Sequence, residues 1–259
     1  MTDSPRLLVL ADLDDSLFST LRKIPASQRA GTTLAARASA GSAAGKDSFM
    51  TPRQSAMLDW MDLSRCVPVT ARGTDAYSRV TIPFAGPAAI LANGAVMLDA
   101  TGKVDEQWAA IVNDILQGQQ ETITALADTL LGLAAKRSMD IRSWAVMEPT
   151  CGAVYAVAKS NDSPHGEGLN DLLEDLKRDL INEDSQAGDN WLFHINGNNL
   201  SVTPSGISKA IAVKYLLTRL QASEALFTVG IGDSASDLEF MRLCDVWMTP
   251  TRSQIDQKF

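Results

Sequence analysis

Five apolar residues, Leu7-Leu8-Val9-Leu10-Ala11, run without a break into the acidic cluster Asp12-Leu13-Asp14-Asp15-Ser16. Apolar on both faces, the run reads as a strand buried in the middle of a parallel sheet, where helices must cover both sides. Chemistry in such sheets sits at the C-terminal ends of the strands, so the acids that follow Ala11 mark a candidate site. A chain of 259 residues with 45% hydrophobic composition has ample material for an α/β core with a smaller inserted domain.

The remaining chain supports that organisation. Residues 29–46, rich in Ala, Gly, Ser and Thr with Leu34 as the one bulky apolar residue, read as a mobile excursion and a possible flap. Thr51-Pro52 offers a capping hydroxyl and a proline at the first helical position, and the helix continues through Ala56, Met57, Trp60 and Met61. A short buried strand ends at Val69-Thr70, and Ile90-Leu91-Ala92, Asn93-Gly94 and Val96-Met97-Leu98 read as strand, tight turn, strand. Residues 106–136 are helical with an interruption near Gly118; strands follow at 141–147 and 153–158. Next come a helix at 169–180, apolar at Leu169, Leu172, Leu173, Leu176 and Leu180, and strands at 191–195 and 200–203. These form a compact α+β insert. A helix from Ser208 to Leu220, a strand from Leu226 to Ile231 and a final helix from about Ser236 resume the α/β alternation. The expected domains are a core of residues 1–99 and 201–259 and an insert of residues 100–200.

Composition excludes several classes. With 31 acidic against 23 basic residues, a net charge of -8 repels a phosphate backbone, so nucleic acid is not an expected partner. Asp12 interrupts the N-terminal apolar run before it can serve as a signal-peptide core, and no stretch reaches membrane-spanning length, so no membrane association is expected. Cys66, Cys151 and Cys244 are odd in number and lack metal-ligand spacing, which suits free thiols and a cytoplasmic location. No pattern in the chain specifies an oligomeric state.

Four constellations carry chemistry. Asp12 and Asp14 emerge side by side at a strand end, where paired acids are costly without a cation. In the functional reading Asp12 attacks phosphorus, Asp14 protonates the leaving oxygen and later activates water, and Ser16 holds the turn or the phosphate. The alternative is an acidic loop that caps the next segment; a calcium loop fits less well, because Leu17 and Lys23 stand where glycine and glutamate are required. Thr70 offers a hydroxyl, followed by the backbone amides from Ala71 onward, to a phosphate oxygen, against the alternative of a simple cap. Lys209 opens a helix where its ammonium can neutralise nucleophile and phosphoryl group, against a solvated lysine; Lys214 is the weaker candidate. Gly232-Asp233-Ser234-Ala235-Ser236-Asp237 places two acids around a turn after an apolar strand, so both can face one cation. Gly230, Gly232 and Ala235 also match a relaxed dinucleotide fingerprint, but too little chain follows to complete that unit.

Taken in order, Asp12-Leu13-Asp14-Asp15-Ser16, Thr70, Lys209, and Gly232-Asp233 with Asp237 resemble the four motifs of the haloacid dehalogenase superfamily. Leu91-Ala92-Asn93-Gly94-Ala95 and Thr203-Pro204-Ser205-Gly206-Ile207-Ser208-Lys209 are similar to the branch with a large α/β cap, of the C2 type, between motifs two and three. That branch includes Cof-type sugar phosphatases, sucrose-phosphate phosphatase and mannosyl-phosphoglycerate phosphatase. The resemblance implies a three-layer Rossmann-like α/β core with an α+β cap. It also implies magnesium held by the Asp12 side chain, the Asp14 backbone carbonyl and Asp233, with Asp237 beside them. Asp15 stands where many members carry glycine, Ala71 replaces a common glycine, and Ser236 occupies a position often held by asparagine, where it can hydrogen-bond the phosphate or Asp12.

The expected activity is magnesium-dependent hydrolysis of a small phosphorylated metabolite, a sugar phosphate or sugar-acid phosphate. A phosphomutase or phosphotransferase would use the same aspartyl phosphate, and a ligand-binding protein that keeps the fold is the non-enzymatic alternative. Specificity is assigned to the insert, with Arg142, Trp144, Glu148 and Lys159 on or beside predicted strands as candidates.

Overall fold

The structure, a computed structural model, describes residues 5–40, 46–161, 166–183, 190–251 and 253–257. The first four residues and residues 41–45 of the excursion lie outside the described set. The chain forms two compact units, Met1–Asp105 with Lys209–Phe259, and Glu106–Ser208.

The first unit begins with β1 (Arg6–Ala11) and continues through β2 (Ser19–Thr20), β3 (Thr33–Ala36), β4 (Ser48–Met50), α1 (Pro52–Trp60), β5 (Cys66–Pro68), α2 (Thr74–Tyr77), β6 (Ala88–Leu91) and β7 (Val96–Asp99). The second contains α3 (Glu106–Leu116), α4 (Gln120–Lys136), β8 (Ile141–Glu148), β9 (Gly152–Ser160), α5 (Leu169–Glu183), β10 (Trp191–Asn196) and β11 (Asn199–Pro204). The chain returns to the first through α6 (Lys209–Gln221), β12 (Leu226–Ile231), α7 (Asp237–Met241) and β13 (Val246–Met248).

The core sheet runs β13-β12-β1-β5, all parallel, with β1 in its interior. Leu8, Val9, Leu10 and Ala11 are buried as the double-sided apolar run requires, while Leu7 is exposed at the N-terminal end. Local signals set several boundaries. Thr51 and Gln54 close a reciprocal capping box with Pro52 opening α1. Asn93 (φ 56) and Gly94 (φ 103) turn β6 into antiparallel β7. Gly118 (φ 76) separates α3 from α4. The insert's sheet runs β10-β11-β9-β8, antiparallel throughout, and Gly197 (φ 54) helps turn β10 into β11. Residues 201–204, on the core side of the expected boundary, lie in β11, and Ser201 and Val202 pair with β9.

Two expectations are corrected. The excursion, read as having no core residue but Leu34, carries β3 and packs into the core: β3 and β4 pair antiparallel, β4 pairs with β2, and Ala35 and Ala36 are packed with Leu17, Phe18, Leu58 and Met61. Small side chains were read as lacking core contacts, yet they let a strand approach that cluster closely. The final helix is five residues long, and the chain continues into β13, which the sequence reading lacks because Val246 and Trp247 are exposed at the sheet edge.

Candidate active site

Because β1 and β12 run parallel with Ala11 opposite Ile231, the residues after each strand leave the sheet side by side. The Asp12 N–H donates to the Ile231 carbonyl at 2.8 Å, and the Asp12, Asp233 and Asp237 carboxylates are all buried, with oxygens within 4.8 Å of one another. Gly232 makes this approach possible, since a Cβ there would stand 2.4 Å from Asp237 Cβ and 2.8 Å from Met241 Sδ. A Cβ on Gly230 would likewise meet Met241 Cα at 2.9 Å, so both glycines serve the packing of α7 on β12, not a dinucleotide loop.

Lys209, the first residue of α6, is buried rather than solvated. Its Nζ donates to Asp12 Oδ1 and to Asp237 Oδ1, each at 2.7 Å. Ser16 Oγ donates to Asp12 Oδ2 at 3.0 Å and lies 3.3 Å from Asp233 Oδ1. The other Asp237 oxygen, Oδ2, accepts from the Ser234 amide at 2.9 Å and hydroxyl at 2.7 Å. Lys214 is exposed, in keeping with its lower standing.

Two of the three buried carboxylates therefore share one ammonium, while Asp233 meets the Ser16 hydroxyl. Burial pushes the Asp12 pKa well above the usual carboxylate range, and although Lys209 opposes this, the charges of Asp237 and Asp233 add to it. Burial and the neighbouring charge of Asp237 likewise push Asp233 up to about 7. At Asp237 burial is outweighed by Lys209 and Ser234, which hold it below its ordinary value. Burial also works against the Lys209 charge, but Asp12 and Asp237 overcome it and raise that pKa. An oxygen-only donor set with surplus negative charge fits a hard divalent cation such as magnesium. Asp12 and Asp233 offer the less fully satisfied oxygens of the set.

The other candidates lie differently. Asp15 adopts φ 66, which accounts for the usual glycine at this position, and its carboxylate pairs with Lys23. Thr70 is buried and its Oγ1 accepts the Arg72 amide at 3.1 Å, so the hydroxyl closes its own loop; Ala71 follows within that loop. Ser236 Oγ meets Ser234 Oγ at 2.9 Å, while Asp12 takes its hydroxyl bond from Ser16. The Asp14 carboxylate stands apart from the buried cluster and receives two bonds from Arg72, Nε to Oδ2 at 2.6 Å and Nη2 to Oδ1 at 2.8 Å. The sequence reading missed Arg72 and Ser234. A cation two residues beyond Thr70, at the end of the strand beside the acid cluster, was the available signal for Arg72. In the insert, Arg142 pairs with Lys159 and Trp144 with Val157 on one face of the sheet, whereas Glu148 follows a bulge and is buried.

Comparison with known proteins bears on the fold. Residues 154–248 match the family model of haloacid dehalogenase-like hydrolases. The structure resembles the C-terminal domain of trehalose-6-phosphate phosphatase from C. albicans, with a TM-score of 0.59 and 15% identity over 93% of this chain and 73% of that one. It also resembles the sucrose-phosphatase of Synechocystis sp. PCC6803, with a TM-score of 0.52 and 16% identity over 92% and 80% of the two chains. A Thermoplasma acidophilum protein superposes with a TM-score of 0.52 and 13% identity over 98% and 88%. No curated protein sequence matches the chain. The match covers the C-terminal part of the chain, and the fold shared with these structures is a Rossmann-like α/β core interrupted by an α+β insert. Among the described residues, no helix is long and apolar enough to cross a membrane.

Proposed function

We propose that this protein is a magnesium-dependent phosphomonoester hydrolase that acts on a small phosphorylated metabolite through an aspartyl phosphate on Asp12. The observation that carries the reading is the Asp12 carboxylate itself, buried at a strand end between Lys209 and Ser16 and grouped with Asp233 and Asp237. An Asp12 oxygen attacks phosphorus as the bond from phosphorus to the leaving oxygen breaks, and Asp14 gives that oxygen a proton. Asp14 then takes a proton from water, whose oxygen attacks phosphorus and breaks the bond to Asp12, releasing inorganic phosphate. Lys209 holds positive charge against the nucleophile throughout. Magnesium, which Asp12, the Asp14 carbonyl and Asp233 would hold with Asp237 beside them, supplies charge neutralisation for the transferring group. Thr70, Ala71, Ser16 and Ser236 are the candidate donors to the phosphate oxygens.

A sugar phosphate is the favoured substrate class, because two structural neighbours are named as phosphatases of trehalose-6-phosphate and of sucrose phosphate. The unpaired thiols of Cys66, Cys151 and Cys244 agree with a cytoplasmic setting. The test is phosphate release from a panel of phosphorylated sugars and sugar acids, with magnesium and with excess chelator. Release that requires magnesium is the expected result. Full activity in chelator, or release from no member of the panel or from an aryl phosphate, rejects the proposal, and transfer of the phosphoryl group to a sugar hydroxyl would make the protein a phosphotransferase.

A further inference from the structure

Asp12 and Asp14 are two residues apart, yet only Asp12 enters the buried cluster. The Asp14 side chain is 47% exposed, and a short carboxylate so placed has several rotamers open to it unless something outside its own loop selects one. Arg72 does so. Its side chain is 16% exposed, and its planar fork meets both Asp14 oxygens, at 2.6 and 2.8 Å.

The guanidinium is in turn held from three further sides. Nη2 also donates to Ser48 Oγ at 3.3 Å, Nη1 reaches the Ala76 carbonyl at 3.5 Å, and the Phe18 ring centroid lies 5.1 Å from the guanidinium carbon. The Arg72 backbone is pinned as well, its amide donating to Thr70 Oγ1 at 3.1 Å and its carbonyl accepting from Ala92 N–H at 2.8 Å. Four side-chain hydrogen bonds to Asp14, Ser48 and Ala76 leave about one of the five guanidinium N–H groups for a ligand. Its charge, moreover, is already matched by a carboxylate. An arginine committed in this way is poorly suited to capturing a substrate anion and well suited to fixing a neighbour.

Resting on the reading of Asp14 as the acid/base group, we propose that Arg72 is a positioning residue that sets the Asp14 carboxylate for proton transfer. The β2–β4–β3 sheet takes part through Ser48, a buried residue of β4 on the same guanidinium. Ser48 thereby ties β4 to the chemistry through Arg72. Proton donation matters most when the leaving oxygen is poor, so misplacing Asp14 should slow an alkyl phosphate far more than an aryl phosphate, whose phenolate departs with little help.

The experiment measures kcat and KM, at saturating magnesium, for an alkyl phosphate and para-nitrophenyl phosphate with the unmodified protein, Arg72→Ala, Arg72→Lys, Ser48→Ala, Asp14→Asn and the Arg72→Ala/Asp14→Asn pair. Thermal melts establish that each variant folds. Arg72→Ala is expected to lower kcat on the alkyl ester about 100-fold and on the aryl ester less than about 10-fold, with KM changed by less than about 3-fold. Arg72→Lys, which keeps the charge but not the fork, should show the same leaving-group bias at smaller size and covers the case in which the alanine variant does not fold. Ser48→Ala should share that bias at about 2-fold, and adding Arg72→Ala to Asp14→Asn should cost less than about 3-fold more. Equal losses on both esters, a raised KM with unchanged kcat, or additive losses in the double variant would overturn the role of Arg72 while leaving Asp14 in place. If Asp14→Asn itself keeps normal rates on both esters, the acid/base assignment fails, and the role of Arg72 with it.

Discussion

In the core unit, Asp12, Asp233, Asp237 and Lys209 are buried and bonded to one another or to Ser16 and Ser234, whereas on the insert's sheet Arg142 and Trp144 are exposed and Arg142 donates to Asn161 at 3.0 Å. Both regions collect polar and aromatic side chains at strands, but the core charges cannot be relieved by water and must be satisfied by partners in place. Arg142 and Trp144 remain open to water. The contrast is between charges that burial fixes to partners in place and side chains that exposure leaves to water.

The largest expected effect is on turnover. Asp12→Asn should abolish phosphate release while the thermal melt stays within a few degrees, because the amide keeps the shape and loses the nucleophile. Near-normal turnover would remove Asp12 from that role and end the contrast drawn here. Lys209→Ala should come next, since it leaves Asp12 and Asp237 buried without their common cation, at a cost of about 3–5 kcal/mol in urea unfolding. A loss under about 1 kcal/mol would mean that water reaches the cluster freely.

Metal and pH should sharpen the comparison. Asp237→Ala should weaken magnesium less than Asp233→Ala does, because both Asp237 oxygens are engaged by Lys209 and Ser234, while Asp233 Oδ1 meets the Ser16 hydroxyl at the longer distance of 3.3 Å. Equal or reversed effects in a calorimetric titration would require the two acids to exchange roles. With its pKa raised from 3.8 to about 7, Asp233 binds a proton in the folded state that the unfolded chain has already released. Its contribution to stability in chelator is therefore fully present below about pH 4 and declines as pH rises through about 7. Melting temperatures in chelator should fall across that window, magnesium should restore them most at the upper end, and Asp233→Asn should flatten the slope. A slope unchanged by Asp233→Asn would assign the titration to another group.

The smallest effect is expected on the insert. Arg142→Ala and Trp144→Ala should each change stability by less than about 0.5 kcal/mol and leave aryl phosphate hydrolysis nearly unaltered. What should move is the ratio of kcat/KM for the best phosphorylated metabolite to that for the aryl phosphate. If both constants fall together and the ratio holds, these side chains do not read the substrate.

Legibility in the sequence followed the range of the interaction. The cap at Thr51 with Pro52 opening α1, the turn at Asn93-Gly94 and the break at Gly118 lie within a few residues of the features that announce them, and all are found where the pattern placed them. The small sheet was missed because its buried contacts come from Ala35 and Ala36, whose side chains leave little imprint on hydropathy, and β13 because Val246 and Trp247 are exposed. Arg72 was missed because nothing local marks a guanidinium as the partner of a carboxylate 58 residues away.

The sequence by itself determined which residues stand at strand ends, since an apolar run, an abrupt acid and a flanking glycine are short-range facts of chain chemistry. Asp12, Asp14, Thr70 and Asp233 were visible in that way, and Lys209 and Asp237 at helix starts. Only the tertiary structure decided how the cations are divided among the acids. Parallel register between β1 and β12 brings Asp12 to Asp233 and Asp237, and burial then makes Lys209, 197 residues from Asp12, the ammonium that Asp12 and Asp237 share. Asp14, two positions along, points out of that environment and takes a guanidinium instead. Neighbours in sequence received different partners because desolvation, which depends on packing and not on chain order, sets the cost of leaving each charge alone.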